Sequence, residues 1–209
     1  MRYYISDLHF FHESLNSHMD LRGFSSAEEM NDAMICRWNE KVKKNDEVIV
    51  LGDLSVGKGK ETNEILRQLK GKIYLIEGNH DRYLKDKEFD CGRLEWVKPY
   101  AELRDNKRKV ILSHYPIFFY NGQYLRDTQT GIPKTYMLYG HVHDTFDERM
   151  AEQFQKILSG SVRVQRGDSQ PRPVPCQMIN CFCCYSDYTP LTLDEWIECD
   201  RKRKEKRNF

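Results

Sequence analysis

Five short apolar runs along the chain each lead into polar side chains of the kinds that bind metal ions. The runs cover residues 3–5, 48–51, 73–76, 110–112 and 136–139. Short runs of this type, bounded by polar or turn residues, are typical of buried strands. The polar residues that follow them are Asp7 and His9, Asp53, Asn79, His114, and His141 and His143. In open α/β sheets, ligands bind beyond the carboxyl ends of the strands, so we expect these side chains to meet at one edge of the fold.

The order of the predicted elements indicates an α/β fold with two sheets. Before residue 82, predicted strands alternate with predicted helices at residues 25–45 and 61–69, which implies parallel pairing and right-handed crossovers. After residue 82 the strands are short and have little helix between them; they cover residues 96–97, 101–103 and 109–112. Residues 105–107 are typical of a hairpin turn. We therefore predict a four-layer α/β/β/α sandwich, with two stacked mixed sheets between outer helices.

The metal-type residues also form an ordered set of short motifs. The motifs are Asp7-x-His9, Gly52-Asp53, Gly78-Asn79-His80-Asp81, His114 and Gly140-His141-Val142-His143. In order and spacing, the set resembles the calcineurin-like metallophosphoesterase superfamily. The resemblance covers residues 1–143 and extends to a strand predicted near residues 178–182. A single Gly-Asp pair would carry no information, whereas the full set is specific.

The resemblance implies a centre with two divalent metal ions. It assigns Asp7, His9, Asp53 and His143 to the first ion, and Asp53, Asn79, His114 and His141 to the second, with Asp53 bridging both. A hydroxide activated by the two ions would attack phosphorus, and both the attacking and the leaving oxygen would be stabilised. Carboxylate, imidazole and amide donors without thiolate suit manganese, iron, zinc, cobalt or nickel better than magnesium. Of these metals we favour manganese.

The residues next to ligand Asn79 are candidates for catalysis. In the family that this chain resembles, the histidine matching His80 protonates or stabilises the leaving group. General acid assistance of this kind contributes roughly 10²–10⁴ in rate. The resemblance gives Asp81 the role of orienting the neighbouring ligands through hydrogen bonds.

Three further residues are candidates for binding the substrate. His12 lies in the loop after His9, where it could line the site, and a surface histidine is the alternative interpretation. Arg22 and Arg82 could each contact a phosphate oxygen, although an exposed loop arginine has the same appearance in sequence.

The predicted reaction is hydrolysis of a phosphoester, with a phosphodiester slightly favoured over a phosphomonoester. A dianionic monoester needs more cationic partners, and the ligand loops offer Arg22 and Arg82 at most. Residues 115–120 form an aromatic loop that could stack on an aryl group or a base, although core packing is its default interpretation.

One observation narrows the class of enzyme, and another favours an enzyme over a non-catalytic protein. The Gly52-Asp53 motif runs into Leu54 and Ser55, without the nearby Asp-Arg-Gly of protein serine/threonine phosphatases. That continuation argues against a protein phosphatase and fits a small bacterial or phage-type phosphohydrolase branch. The alternatives are a nuclease acting on RNA or DNA, and a non-catalytic metal-binding scaffold. Retention of the full ligand set together with His80 favours the enzyme.

Length and composition predict one globular domain over residues 1–209. Within it, residues 144–175 are predicted as a helical and proline-rich insertion, and residues 201–209 as a mobile basic tail. The net charge of +1 gives no overall attraction to nucleic acid or membrane. We expect a small-molecule phosphoester as the partner, with nucleic acid binding possible through the tail and no membrane contact. Seven cysteines without disulfide-like or zinc-like spacing, and no export signal, predict reduced thiols and a cytoplasmic protein.

Overall fold

The chain has an α/β fold built on two four-stranded sheets, as seen in a computed structural model that describes residues 1–164 and 170–207. The first sheet consists of β1 (Arg2–Ile5), β2 (Glu47–Val50), β3 (Lys72–Ile76) and β4 (Leu94–Lys98), in that order. Every pair in it is parallel, which confirms the parallel pairing predicted before residue 82, whereas the prediction that both sheets are mixed is wrong for this one. Residues 96–97 were expected in the second sheet but lie in β4. Residues 77–93 are long enough for the crossover that parallel pairing requires.

The second sheet is mixed, as predicted. It consists of β10 (Met178–Asn180), β7 (Thr135–Tyr139), β6 (Arg108–Ser113) and β5 (Tyr100–Asp105), in that order. Only the pairing of β5 with β6 is antiparallel within this sheet. The turn that joins them contains Asn106 and Lys107, both with positive φ, which confirms the predicted hairpin. A separate short ribbon pairs β8 (Val162–Arg163) with β9 (Arg172–Pro173).

Four α-helices accompany the sheets in the described part of the chain. They are α1 (Ala27–Lys41), α2 (Gly59–Gln68), α3 (Phe146–Ser159) and α4 (Leu193–Arg207). Ser26 caps α1 by accepting a hydrogen bond from the backbone N–H of Glu29. Met30, Met34 and Trp38 recur at helical spacing and are fully buried, which confirms the predicted apolar face of this helix.

Alternating side chains of the strands enter different apolar clusters. In β2, Val48 and Val50 pack into a cluster with α1 and α2, whereas Ile49 faces a cluster shared by both sheets. Trp196 of α4 joins this shared cluster. A further cluster behind the second sheet includes Phe154 of α3. The two sheets therefore share one core, and this holds their strand ends close together.

Several predictions concern the chain after residue 143. The segment predicted as an insertion, residues 144–175, contains α3 and the strands β8 and β9. The proline-rich part of this predicted insertion falls partly outside the described residues, as do the last two residues of the predicted tail. Within the described residues, no helix is both long enough and apolar enough to cross a membrane.

The basic residues 201–207 form the end of α4 rather than a mobile tail, so that prediction is wrong. Two of them, Arg203 and Arg207, pair with acidic side chains of the neighbouring helix α3. Arg203 pairs with Glu148 at 2.7 Å and with Glu152 at 2.6 Å. Arg207 pairs with Glu152 and with Asp144, the residue after ligand candidate His143. These ion pairs hold the C-terminal helix against α3.

Replacement of Arg203 by alanine is expected to lower the free energy of unfolding by about 3–5 kcal/mol. Glu148 is fully buried, and its carboxylate also accepts hydrogen bonds from Tyr139 and Asn180. The variant would leave this buried charge without its cation. Equilibrium unfolding in urea measures the difference.

Arg201→Ala is the matched control, because Arg201 lies on the same helix but pairs with Glu198 and Glu205, whose side chains are 47% and 58% exposed. Exposed pairs contribute little, so this variant is expected to unfold like the wild type. Equal stability of the Arg203 and Arg201 variants would show that the contact with Glu148 does not hold the helix in place.

Candidate metal centre

The carboxyl ends of five strands deliver the predicted metal ligands to one place. Asp7 and His9 follow β1, Asp53 follows β2, Asn79 follows β3, His114 follows β6, and His141 and His143 follow β7. Six of these residues form two groups. Within each group, the possible ligand atoms lie within 4.8 Å of one another. The groups are Asp7, His9 and His143, and Asp53, His114 and His141. All six side chains belong to buried residues except His141, which is half-buried.

The first group places two imidazole nitrogens face to face. His9 Nε2 lies 3.2 Å from His143 Nε2, which in turn lies 3.8 Å from Asp7 Oδ1. Burial holds the pKa of His9 well below its usual value, so this ring is neutral and can offer a lone pair. Two imidazoles and a carboxylate that converge on one point form a suitable site for a divalent transition metal.

The second group is oriented by a backbone carbonyl. His114 Nδ1 lies 2.8 Å from the carbonyl oxygen of Leu51, which can only accept a hydrogen bond, so Nδ1 carries the proton. The other nitrogen, Nε2, faces Asp53 Oδ2 at 3.4 Å and Asn79 Oδ1 at 3.0 Å. The ring of His141 lies beside it, with a distance of 5.0 Å between ring centroids. The amide oxygen of Asn79 thus joins the second group.

Asp53 belongs to the second group and also faces the first. Its Oδ2 atom is 3.5 Å from His9 Nε2 and 3.4 Å from His114 Nε2. Burial would raise the pKa of Asp53, but the hydrogen bond and the charge of His114 outweigh it and lower the pKa to about 2. Burial likewise opposes protonation of His114, but Asp53 and Asp7 raise its pKa to about 9. The Asp53 carboxylate therefore carries negative charge at the centre of the site.

The backbone is strained at most of the ligand positions. Five ligand residues have φ between 47° and 71°, in the left-handed region; they are Asp7, His9, Asp53, His141 and His143. This conformation is uncommon for residues other than glycine, although Asp and His adopt it more often than most. Strain of this kind persists only where the surrounding structure enforces it, and it is concentrated at functional sites.

Two glycines let the backbone of neighbouring loops approach the ligands. Gly52 has φ of +90°, and a Cβ atom there would lie 2.3 Å from His114 Nδ1. A Cβ atom on Gly78 would lie 2.3 Å from Asp53 Oδ1 and 2.4 Å from its backbone nitrogen. Any side chain at either position would displace a ligand.

Asp81 organises the loops around Asp53. Its buried carboxylate accepts hydrogen bonds from the backbone N–H groups of Gly78, Asp53 and Leu54 at 2.8–3.0 Å. Burial, assisted by the charge of Asp53, raises the pKa of Asp81 to about 6. The side chain thus lies where the orienting role suggested by the resemblance requires it.

His80 and His12 lie at the rim of the first group. The ring centroid of His9 is 5.3 Å from that of His80 and 5.3 Å from that of His12. The backbone N–H of His80 donates to Asp53 Oδ1 at 2.7 Å. The imidazole of His80 belongs to neither ligand group. Both histidines are half-buried and can meet a substrate held at the centre.

The two arginines proposed as phosphate contacts differ in their surroundings. The side chain of Arg22 is completely buried, so it neither reaches a substrate nor lies exposed in a loop. It pairs with Asp20, a buried acid that sequence reasoning missed because a charged loop residue ordinarily lies in solvent. Arg82 is exposed, and in the described part of the chain its side chain makes no ion pair or hydrogen bond.

The aromatic loop at residues 115–120 reaches the site through its first residue. The ring of Tyr115 packs against His141 at 4.4 Å between centroids, and its hydroxyl donates to Asn79 Oδ1 at 3.4 Å. Phe118 and Phe119 instead pack on Phe154 of α3. The loop therefore presents one half-exposed aromatic ring to the centre and uses others for packing.

The donor chemistry fits the divalent transition metals that the motifs imply. In the described residues, the two groups above are the clusters of His, Cys and acidic side chains able to hold an ion. All seven cysteines are free thiols. The thiol of Cys183 donates to the backbone carbonyl of Asp7 at 3.1 Å and so supports the ligand loop without joining the site.

Comparison with known proteins gives three similarities of different extent. The chain is 45% identical over 83 residues to the uncharacterized protein MJ1445 of Methanocaldococcus jannaschii, which covers 39% of this chain and 47% of that protein. It is 29% identical over 161 residues to the Gene 66 protein of Mycobacterium phage L5, which covers 68% and 76% of the two chains. The crystal structure of AQ665 from Aquifex aeolicus, a protein of unknown function, covers 93% of this chain and 96% of that chain with a TM-score of 0.61. At 21% identity, this structure shows a shared fold alone.

The match to a protein family is broader. Residues 3–176 match the calcineurin-like phosphoesterase superfamily domain. The matched region contains all seven ligand candidates together with His80 and Asp81. The chain belongs to the calcineurin-like phosphoesterase superfamily.

Proposed function

We propose that the protein is a metal-dependent phosphohydrolase that cleaves a phosphoester bond at the centre between the strand ends. The position of Asp53, within 3.5 Å of one imidazole from each ligand group, carries this proposal. A panel of phosphomonoesters, phosphodiesters and nucleic acids, assayed with added Mn²⁺ and again with a chelator, tests it. Absence of metal-dependent turnover on every member of the panel would contradict it.

We propose that the centre would hold two divalent transition-metal ions, with manganese favoured, and that Asp53 would be a ligand of both. Such ions, when bound, neutralise phosphate oxygens and lower the pKa of a bound water from about 16 to about 7. The two ligand groups and the amide of Asn79 supply donors for both positions.

The chain's own residues orient the ligands and supply the proton. The backbone carbonyl of Leu51 holds the His114 ring with Nε2 toward Asp53. Asp81 holds the backbone of Gly78, and thereby the loop that carries His80. His80, at the rim beside His9, is placed to donate a proton to the leaving-group oxygen.

A phosphodiester suits the charges around the site better than a phosphomonoester. A monoester carries one more negative charge and needs more cations. Because Arg22 is buried away from the substrate side, Arg82 is the one remaining cation among the arginines proposed as phosphate contacts. The half-exposed ring of Tyr115 can pack against an aryl or base group of a diester.

With Mn²⁺ present, kcat/KM for bis(nitrophenyl) phosphate is therefore expected to equal or exceed that for nitrophenyl phosphate. Both substrates release the same nitrophenolate, so the comparison isolates the effect of the second ester group. Tyr115→Leu is expected to lower the diester value more than the monoester value, because it removes the aromatic surface. A monoester preference of tenfold or more would reverse the proposal on ester class.

The substrate that we propose is a small molecule rather than a nucleic acid. The nuclease alternative rested on a mobile basic tail, and the described part of that segment is helical and ion-paired. The scaffold alternative predicts metal binding without turnover on any phosphoester, which the same substrate panel distinguishes.

The layer order of the fold and the cellular location of the protein are also proposals. We propose the layer order α/β/β/α, which is supported by an apolar cluster between each sheet and its helices and one between the sheets. A cytoplasmic location stays a prediction from the cysteine pattern.

A further inference from the structure

The loop at residues 17–23, between a 3₁₀ turn and α1, carries two buried charged side chains. Asp20 is 1% exposed and Arg22 is 0% exposed at the side chain, and they pair at 2.9 Å. Burial of an ion pair is costly unless its remaining donors and acceptors are also satisfied. Apart from two methionine sulfur atoms of α1 near Arg22, the partners of this pair lie at the first ligand group.

Arg22 holds the backbone at Asp7. Its Nη1 donates to the carbonyl of Leu8 at 2.7 Å, and its Nη2 donates to the carbonyl of Asp7 at 2.9 Å. Asp7 and His9, on either side of Leu8, both have the left-handed conformation. The planar guanidinium can bond two adjacent carbonyls at once, which a single ammonium cannot do with the same geometry. The contact thus stabilises a strained turn that carries two ligands.

Asp20 holds the ring of His143. Its Oδ1 lies 2.7 Å from His143 Nδ1, and its Oδ2 accepts from Arg22 Nε at 3.0 Å. The Asp20 carboxylate can only accept here, so Nδ1 carries a proton, and Nε2 is the nitrogen that faces His9 and Asp7. A metal-binding histidine typically has its second nitrogen held in this way, and loss of the partner costs metal affinity.

We propose that Asp20 and Arg22 are positioning residues that prepare the first ligand group for its metal ion. Asp20 selects the tautomer and direction of His143, while Arg22 holds the turn that carries Asp7 and His9. This inference rests on the proposed metal centre. In the second ligand group, the carbonyl of Leu51 orients the ring of His114. Metal binding at that group therefore serves as an internal reference for variants of Asp20 and Arg22.

Asp20→Ala is expected to weaken Mn²⁺ binding at one class of site by about 10–100-fold and to leave the other class unchanged. The electron paramagnetic resonance signal of free Mn²⁺, followed while the full chain is titrated, measures both classes. Asp32→Ala is the matched control, because Asp32 is exposed on α1, and it is expected to bind like the wild type.

Arg22→Lys keeps the positive charge but loses the planar guanidinium that donates to two carbonyls. It is expected to weaken Mn²⁺ binding at the same class of site. Arg37→Lys is its matched control. Arg22 and Arg37 both lie over the ring of Tyr188, at 5.7 Å and 5.3 Å, but Arg37 pairs with the exposed Asp187 rather than with the ligand loop. Weaker binding in the Arg22 variant alone would support the contact with the carbonyls of Asp7 and Leu8.

A spectroscopic measurement separates positioning from a general loss of stability. In ¹⁵N-histidine-labelled, metal-free protein, the Nδ1 proton of His143 is expected to be protected from exchange, and Asp20→Ala is expected to remove that protection. This readout requires no metal and no turnover. If the wild type bound no Mn²⁺, the proposed function would fail, while the protection of this proton would still decide the role of Asp20.

Asp20→Ala leaves the guanidinium of Arg22 without its carboxylate and could prevent folding. The double variant Asp20→Ala/Arg22→Met removes both charges and leaves neither unpaired. Wild-type Mn²⁺ affinity at both classes of site in any folded variant lacking Asp20, or an unprotected His143 Nδ1 proton in the wild type, would overturn the inference.

Discussion

Replacement of Asp53 by asparagine is expected to remove at least one divalent ion per chain and to abolish hydrolysis. Asp53 Oδ2 faces one imidazole of each ligand group, so the carboxylate is the shared negative charge of the centre. An amide carries no charge, and its NH₂ group would face His9 or His114. Elemental analysis of protein purified without chelator measures the loss, and the wild type is expected to hold about two ions.

Asp32→Asn makes the same chemical change at an exposed position of α1 and is expected to retain both metal and activity. Circular dichroism of the Asp53 variant checks that the fold survives, since Asp53 also accepts a hydrogen bond from the backbone of His80. Unchanged metal content in a folded Asp53 variant would refute its bridging position.

Replacement of His80 by alanine is expected to lower kcat by roughly 10²–10⁴, the range of general acid catalysis, with metal and fold retained. The ring of His80 lies outside both ligand groups, and the hydrogen bond to Asp53 comes from its backbone, which the substitution leaves in place. Steady-state kinetics together with metal analysis of the variant separates lost turnover from lost metal.

The leaving group provides an internal test of the role of His80. Nitrophenolate leaves readily without a proton, whereas an alkoxide needs one, so the loss is expected to be larger on alkyl phosphoesters than on nitrophenyl esters. His18→Ala, at an exposed position, is the control for removal of an imidazole. A loss of less than about tenfold on an alkyl ester would show that His80 does not act as the acid.

The strand ends and the candidate ligands that follow them were predictable because both signals are local. The apolar run that forms β6 lies directly before His114, and the run that forms β2 lies just before Asp53. Strand periodicity places such residues at the carboxyl edge, and side-chain chemistry then restricts what they can bind. The hairpin at Asn106 and Lys107 and the apolar face of α1 are local in the same sense.

The errors concern contacts between distant segments. Residues 96–97 have an ordinary strand pattern, which does not reveal whether they pair with β3 or with a strand of the second sheet. The charges of residues 201–207 are typical of a solvated terminus until Glu148 and Glu152, about 50 positions earlier, are known to face them.

The sequence by itself determined the chemistry of this protein: which donors stand at the strand ends, and in what order. Tertiary structure alone decided which charges are buried and what they orient, as Asp20 and His143 show across 123 positions. The physical reason is that burial makes a charge costly unless a partner meets it. Whether that partner is present depends on the folding of the whole chain, whereas the identity of a donor atom depends on one residue.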